Sequence, residues 1–206
     1  MNQPRPLERI VLASASPRRL DLLRSLALHV ETVVSGYEEP PLPGRRPRDV
    51  AVAHANEKLS AVIALPRCSG IPVVAADTVV DVDGCALGKP AGAPEAREML
   101  ARLSGRSHLV HTAFALAVPP KGGLRAECVT TEVRFYPLSG EEIAAYVAGG
   151  DPLDKAGGYG IQGAGAALVE RIDGDFYTVM GLPLGRLIRA LRQLGFSLPA
   201  TKPTGS

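Results

Sequence analysis

The run Pro72-Val-Val-Ala-Ala-Asp-Thr-Val-Val-Asp-Val82 constrains the fold more than any other stretch of the chain. It is apolar at nearly every position, the pattern of a strand buried on both faces. Asp77 lies in the middle of it. A carboxylate there is costly unless a cation or hydrogen bonds compensate it, so Asp77 is the first candidate for chemistry. The plain alternative is a structural Asp paired with a buried Lys or Arg. Asp83-Gly84 supplies a hairpin turn after the strand and leads into Leu87-Gly-Lys-Pro90.

A second stretch, Ile10-Val-Leu-Ala-Ser-Ala-Ser-Pro-Arg-Arg19, reads as a short buried strand, a hydroxyl-rich turn and a helix start. Ser16 is a natural N-cap, and Pro17 suits the first helical position, where its missing N–H is no loss. The helix, expected to run to about Ser25, carries Leu20, Leu22, Leu23 and Leu26. Free N–H groups at its start, the hydroxyls of Ser14 and Ser16, and the cations Arg18 and Arg19 make an anion site at the carboxyl end of a strand, suited to phosphate. Taken alone, the stretch is equally a capped surface helix with two solvated arginines.

Residues 30–35 read as a second strand, and the Pro- and Gly-rich segment 36–47 as an exposed loop holding Glu38 and Glu39. A helix is expected over 48–65, with Val52, Ala55, Leu59, Val62 and Ile63 on one face. Lys58 lies about 40° past Val62, at the border of that face, where its stem can pack while its ammonium reaches a cleft or simply solvent. A short helix over 95–103 precedes two long strand-like runs, 107–118 and 126–136, joined by Pro119-Pro-Lys-Gly-Gly123 as an antiparallel hairpin. Ser139-Gly-Glu-Glu142 is a capping box opening a helix to about Ala148. A Gly-rich segment, 149–165, leads to a strand over 167–172 and a final amphipathic helix over 182–194, closed by Gly195. Strands interleaved with helices, one hairpin among them, predict a mixed sheet.

The 206 residues and 46% hydrophobic content suit one domain of generous size, or one core plus a lobe. We assign 1–196 to that domain, because 197–206 has the composition of a disordered tail. A net charge of +2 and 4% aromatic residues argue against a nucleic-acid surface. Cys68, Cys85 and Cys128 lack C-x-x-C spacing, which disfavours disulfide frameworks and zinc sites and favours a reducing compartment. With no apolar signal core and no membrane-length run, a soluble cytoplasmic protein is expected.

Several motifs tempt and fail. Gly158-Tyr-Gly-Ile-Gln-Gly163 matches G-x-G-x-x-G, but a polar segment precedes it and a strand-like run follows, the wrong context for a dinucleotide site. Gly84-Cys-Ala-Leu-Gly-Lys-Pro90 is one residue short of a P-loop and has Pro where Ser or Thr must meet the metal. His108 and His111 fall in a strand-like run and point to opposite sides, so they share no metal. His29 and His54 stand alone, as structural or exposed residues. No nucleophile-elbow motif is present.

What is left is a set of phosphate-seeking cations, Arg18, Arg19, Lys58 and Lys89, with the carboxylates Glu39 and Asp77. A triphosphate site needs that mixture: cations neutralise non-bridging oxygens, and carboxylates hold a divalent metal. In this the chain resembles the Maf nucleoside triphosphate pyrophosphatases. The resemblance is carried by Leu12-Ala-Ser-Ala-Ser-Pro-Arg-Arg-Leu-Asp-Leu-Leu23, Ala76-Asp-Thr-Val-Val80, Leu87-Gly-Lys-Pro90 and Leu103-Ser-Gly-Arg106. Asp154-Lys-Ala-Gly-Gly-Tyr-Gly-Ile-Gln-Gly163 and Val179-Met-Gly-Leu-Pro-Leu184 extend it over nearly the whole chain, in family order. It implies a mixed, partly antiparallel twisted sheet flanked by helices, with a nucleotide cleft between two lobes. It also implies hydrolysis of a nucleoside triphosphate between the α and β phosphates, aided by Mg2+ or Mn2+, in a homodimer. The family's proposed base falls on Asp77. Its specificity positions fall on Arg18, Thr78 and Gln162, and its phosphate ligands on Lys58 and Lys89, beside Ser14, Ser16 and Arg19. Its metal carboxylates fall on Asp77 and Glu39. Tyr37-Glu-Glu-Pro40 follows the family pattern loosely; Asn56 replaces a charged residue, and Gly174-Asp-Phe replaces Gly-Ser-Tyr.

The base preference has a physical reading. Uracil and thymine present an N3–H donor flanked by carbonyl acceptors, and the neutral Gln162 amide carries both a donor and an acceptor. A related branch with Glu at that position takes methylated guanine nucleotides, so Arg18, Thr78 and Gln162 point to dTTP and UTP. An aspartate in water titrates near about 4, which makes a poor base at neutral pH; Asp77 either orients the attacking water or ligates the metal. Two other classes compete: a nucleotide-binding regulator without catalysis, and a nucleic-acid-binding module.

Overall fold

The computed structural model describes residues 3–120 and 122–199. Its sheet is built on β4 (Val73–Val82), the run singled out by its apolar pattern. Around it the order is β3 (His29–Thr32), β2 (Arg9–Leu12), β4, β6 (Ser107–Ala117), β7 (Arg125–Phe135) and β8 (Val169–Asp173), with β5 (Cys85–Leu87) also on β4. β2 runs parallel to β3 and β4, whereas β5 to β8 pair antiparallel, so the sheet is mixed as expected. Strand β1 (Arg5–Pro6) pairs with β9 (Phe196–Ser197) in a separate two-stranded ribbon. Ser197, which composition assigned to the tail, therefore has a strand partner; residues 200–206 of that assignment lie outside the described residues.

Helices cover both faces, and strand alternation decides which residue meets which core. Val73, Ala75 and Val79 pack with Ala51, Ala55, Leu59 and Val62 of α2 (Pro47–Ile63). On the opposite face Val74 and Ala76 join the core of α1 (Pro17–Arg24) and α6 (Leu184–Gln193). Further along that same face, Val80 and Val82 join a second core with α3 (Ala93–Leu103) and α4 (Gly140–Ala148). Thr78 falls between those two cores, and the cleft opens there.

The edge of β4 explains why a cleft can form in so apolar a strand. One edge is paired with β6 along Val73–Asp81. The other is paired with β2 only at Val73 and Val74 and with β5 only from Val80 onward. Between them, residues 75–79 have no strand partner on that edge. Asp77 and Thr78 sit in this gap and point to opposite faces.

Local expectations mostly hold. The Ser139–Glu142 capping box makes both of its bonds. Ser16 occupies the N-cap position of α1, but its side chain makes no capping bond; its backbone N–H donates to Ser14 Oγ at 3.1 Å. The short helix α5 (Phe176–Met180) was not foreseen. Asp175, one of the two residues at which the chain departs from the expected Gly-Ser-Tyr, caps it by accepting from the Thr178 N–H at 2.8 Å and its hydroxyl at 2.7 Å. Asn56, a further departure, leaves its buried Oδ1 without a hydrogen-bond partner among the described residues. No helix among the described residues is long and apolar enough to cross a membrane.

Candidate active site

A cavity of about 1120 Å³ lies across the open edge of β4. Every site residue expected from the sequence lines it: Ser14, Ser16, Arg18, Arg19, Glu39, Lys58, Asp77, Thr78, Lys89 and Gln162. Six Lys and Arg side chains face it against three Asp and Glu, a balance suited to a polyanion. Because it wraps round the strand edge, it collects Asp77 from the α2 face and Thr78 from the other.

On the α2 side Lys58, which the helical pattern left at the border of the apolar face, is buried at 7% exposure. Its Nζ lies 2.6 Å from Asp77 Oδ1 and 2.6 Å from Glu39 Oε1. One ammonium thus draws together a carboxylate from the central strand and one from the loop after β3. Burial pushes the Glu39 carboxyl up. The hydrogen bond and charge of Lys58, with Lys89 and His54 behind them, outweigh this and hold it below its ordinary value. A depressed carboxyl stabilises the fold above its unfolded value and loses that contribution as pH falls through its folded one. The urea midpoint of the wild type is therefore expected to exceed that of Glu39→Gln at neutral pH, with the gap closing as pH drops below 4.5. A constant gap would contradict the ion pair.

On the other side the Arg19 guanidinium is held at three points. It donates to the Gly181 carbonyl at 2.7 Å, to Ser14 Oγ at 3.3 Å and to Thr78 Oγ1 at 3.0 Å. Burial lowers its pKa, and the nearby charges of Asp77 and Glu39 partly restore it. Thr78 Oγ1 lies 3.0 Å from Thr112 Oγ1, which donates to the Thr178 carbonyl at 2.7 Å, so α5 is wired to the cavity floor. Gly181 closes α5 at φ +106°, and a Cβ there would lie 3.4 Å from both Arg19 Nε and Thr78 Oγ1. Glycine lets the backbone approach the guanidinium.

Arg18 reaches across the cleft to Asp154, Nη1 to Oδ2 at 3.1 Å, and Asp154 Oδ1 meets Lys155 Nζ at 2.6 Å. The segment carrying Gln162 is held in place by Gly157, whose N–H bonds the Gly88 carbonyl beside Lys89 at 2.9 Å. A Cβ on Gly157 would sit 2.9 Å from Val80 Cγ2, so only glycine lets this segment close on β4. Tyr159 anchors the same segment, its hydroxyl 2.7 Å from His108 Nε2. Burial lowers the His108 pKa to about 4, which keeps that imidazole neutral. His111 points to the opposite face, toward Asp81 and Thr130.

Sequence reasoning gave no site role to the cavity-lining Tyr37, Arg45, His54, Asp154 and Lys155. His54 stood alone in the sequence, yet the Tyr37 hydroxyl lies 3.1 Å from its Nδ1. Its spacing of four from Lys58 was the available signal, since that spacing puts both on one helix face. Among the described residues no three His, Cys, Asp or Glu side chains gather into a metal cluster. The pair Glu39 and Asp77 nonetheless fits a hard divalent cation that keeps waters and takes phosphate oxygens for the rest of its shell.

A mixed α/β sheet, a polycationic cleft at an interrupted strand edge and two converging carboxylates have the chemistry that a phosphate-bearing ligand with a divalent cation requires. The chain belongs to the family described as Maf-like protein, which matches residues 9–194. It is 52% identical over 187 residues to a dTTP/UTP pyrophosphatase of Thermus thermophilus, covering 91% of this chain and 95% of that one. It is 47% identical over 193 residues to a dTTP/UTP pyrophosphatase of the archaeon Methanococcoides burtonii, covering 93% and 98%. Among solved structures, a nucleoside-triphosphatase (dITP/XTP pyrophosphatase) of Mycobacterium abscessus aligns at a TM-score of 0.41 and 19% identity, over 90% of this chain and 95% of that one.

Proposed function

We propose that the protein hydrolyses dTTP and UTP between the α and β phosphates, giving the nucleoside monophosphate and pyrophosphate. The observation that carries this reading is the meeting of Asp77 and Glu39 at Lys58, in the same cavity as the arginine pair at the start of α1. The names of the relatives support the choice of substrate.

Lys58, Lys89 and Arg19 neutralise the phosphate oxygens, and the free N–H groups at the start of α1, with Ser14 and Ser16, add donors. Asp77 Oδ1 is taken by Lys58; Oδ2, with no hydrogen bond to the described residues, accepts a proton from the attacking water and orients it at the α phosphorus. Glu39 and Asp77 would hold Mg2+ or Mn2+, which when bound withdraws charge from the phosphates. As charge builds on the departing pyrophosphate, Lys58 and Lys89 stabilise it. Arg18, Thr78 and Gln162 select the base. Residues 1–196 act as one Maf domain, in a cytoplasmic homodimer.

A panel of nucleoside triphosphates incubated with the protein and Mg2+ or Mn2+ is expected to release pyrophosphate fastest from dTTP and UTP. No release from any of them would overturn the proposal. Gln162→Glu replaces an amide able to donate and accept by a group that repels pyrimidine carbonyls. It is expected to lower kcat/KM for UTP by about tenfold to a hundredfold, the worth of one unpaired polar contact. Unchanged kcat/KM would remove Gln162 from base selection.

A further inference from the structure

The loop carrying Glu39 is fixed to α2 at two points. Glu39 reaches Lys58 at 2.6 Å, and two residues earlier the Tyr37 hydroxyl reaches His54 Nδ1 at 3.1 Å. His54 and Lys58 are separated by four residues, one turn on the same face of α2, so the two bonds are parallel rungs between one loop and one helix. His54 is buried at 5% exposure, and its ring packs at a tilt on Tyr37, centroids 5.8 Å apart. The rest of the loop is Pro40-Pro-Leu-Pro-Gly44, which has few backbone donors with which to hold itself.

We propose that Tyr37 and His54 are a positioning pair: their hydrogen bond sets the loop so that Glu39 meets the carboxylate of Asp77 at the cation site. This rests on the reading of Glu39 as a metal carboxylate. The Tyr37 hydroxyl and His54 Nδ1 share one hydrogen bond, whichever of the two donates. Both residues line the cavity.

The test uses Tyr37→Phe, His54→Leu, their double variant and His54→Gln, whose amide oxygen can still accept from the phenol. Two quantities are read: hydrogen exchange of the backbone amides in the loop, and Mn2+ affinity by electron paramagnetic resonance with a methylene-bridged UTP analogue bound. Each of the two disrupting single variants is expected to speed loop exchange and weaken Mn2+ binding by about fivefold, the equilibrium worth of one ordinary hydrogen bond. The double variant should be no worse than either single one, and His54→Gln should restore most of the loss. Unchanged loop exchange, faster exchange without weaker Mn2+ binding, or effects that multiply in the double variant would each overturn the pairing. Neither readout needs turnover. A wild type that binds Mn2+ and shows these effects but releases no pyrophosphate would refute the proposed function and leave the pairing standing.

Discussion

Asp77→Asn is expected to slow pyrophosphate release from UTP by about a thousandfold, within the range for losing a positioned proton acceptor. The protein should remain folded. Lys58 keeps its second partner, Glu39, at 2.6 Å, and an amide oxygen at position 77 can still accept from the ammonium. The urea midpoint should therefore correspond to a loss of only about 1 kcal/mol. The same variant separates the two roles open to this carboxylate. Mn2+ affinity is expected to fall alongside the rate, as the assignment of Asp77 as a metal ligand requires; unchanged affinity would strike that assignment and leave only its handling of the water. A rate within tenfold of the wild type would remove it from the chemistry.

Lys58→Met should have the opposite balance, with a large effect on folding as well as rate. Lys58 is the shared cation of two carboxylates, and Asp77 is only 4% exposed, so removing the ammonium leaves a buried charge uncompensated. Breaking a buried pair in this way costs about 3 kcal/mol or more, enough to lower the melting temperature by several degrees. A divalent cation can take the place of the lost ammonium. Added Mg2+ should therefore raise the melting temperature of the variant more than that of the wild type. Equal responses to Mg2+ would mean that the two carboxylates do not share a cation site.

The parts of this account that were legible in the sequence are those set by local rules. The unbroken apolar run 72–82 marked the central strand, and Ser139 with Glu142 marked a helix start whose two capping bonds are both present. The start of α1 at Pro17, with Ser16 in the N-cap position, followed from a capping residue type and a proline. What was not legible depends on where distant segments stop or meet. The gap beside Asp77 exists because β2 ends its pairing at Val74 and β5 begins at Val80, and no pattern within the strand encodes that. The ribbon of β1 and β9 joins Arg5 to Phe196, far beyond any local periodicity. Helix α5 escaped because its five residues are too few to show a period, although Asp175 followed three residues later by Thr178 was a capping signal in plain view. Tyr37 and His54 look unrelated until the loop folds back on α2.

Alternation along β4 sends Asp77 and Thr78 to opposite faces, and a continuous sheet would have kept the carboxylate away from Arg19. The interrupted edge lets one cavity reach both. Under the proposed function, a triphosphate laid across that edge would meet the Lys58 cluster on one side and the start of α1 on the other.

The most direct test is hydrolysis of UTP by the wild-type protein in 18O-enriched water, with the products resolved by mass spectrometry. Attack on the α phosphorus predicts UMP bearing one labelled oxygen and pyrophosphate bearing none. Label in pyrophosphate, or in free phosphate, would contradict the placement of the attacking water beside Asp77.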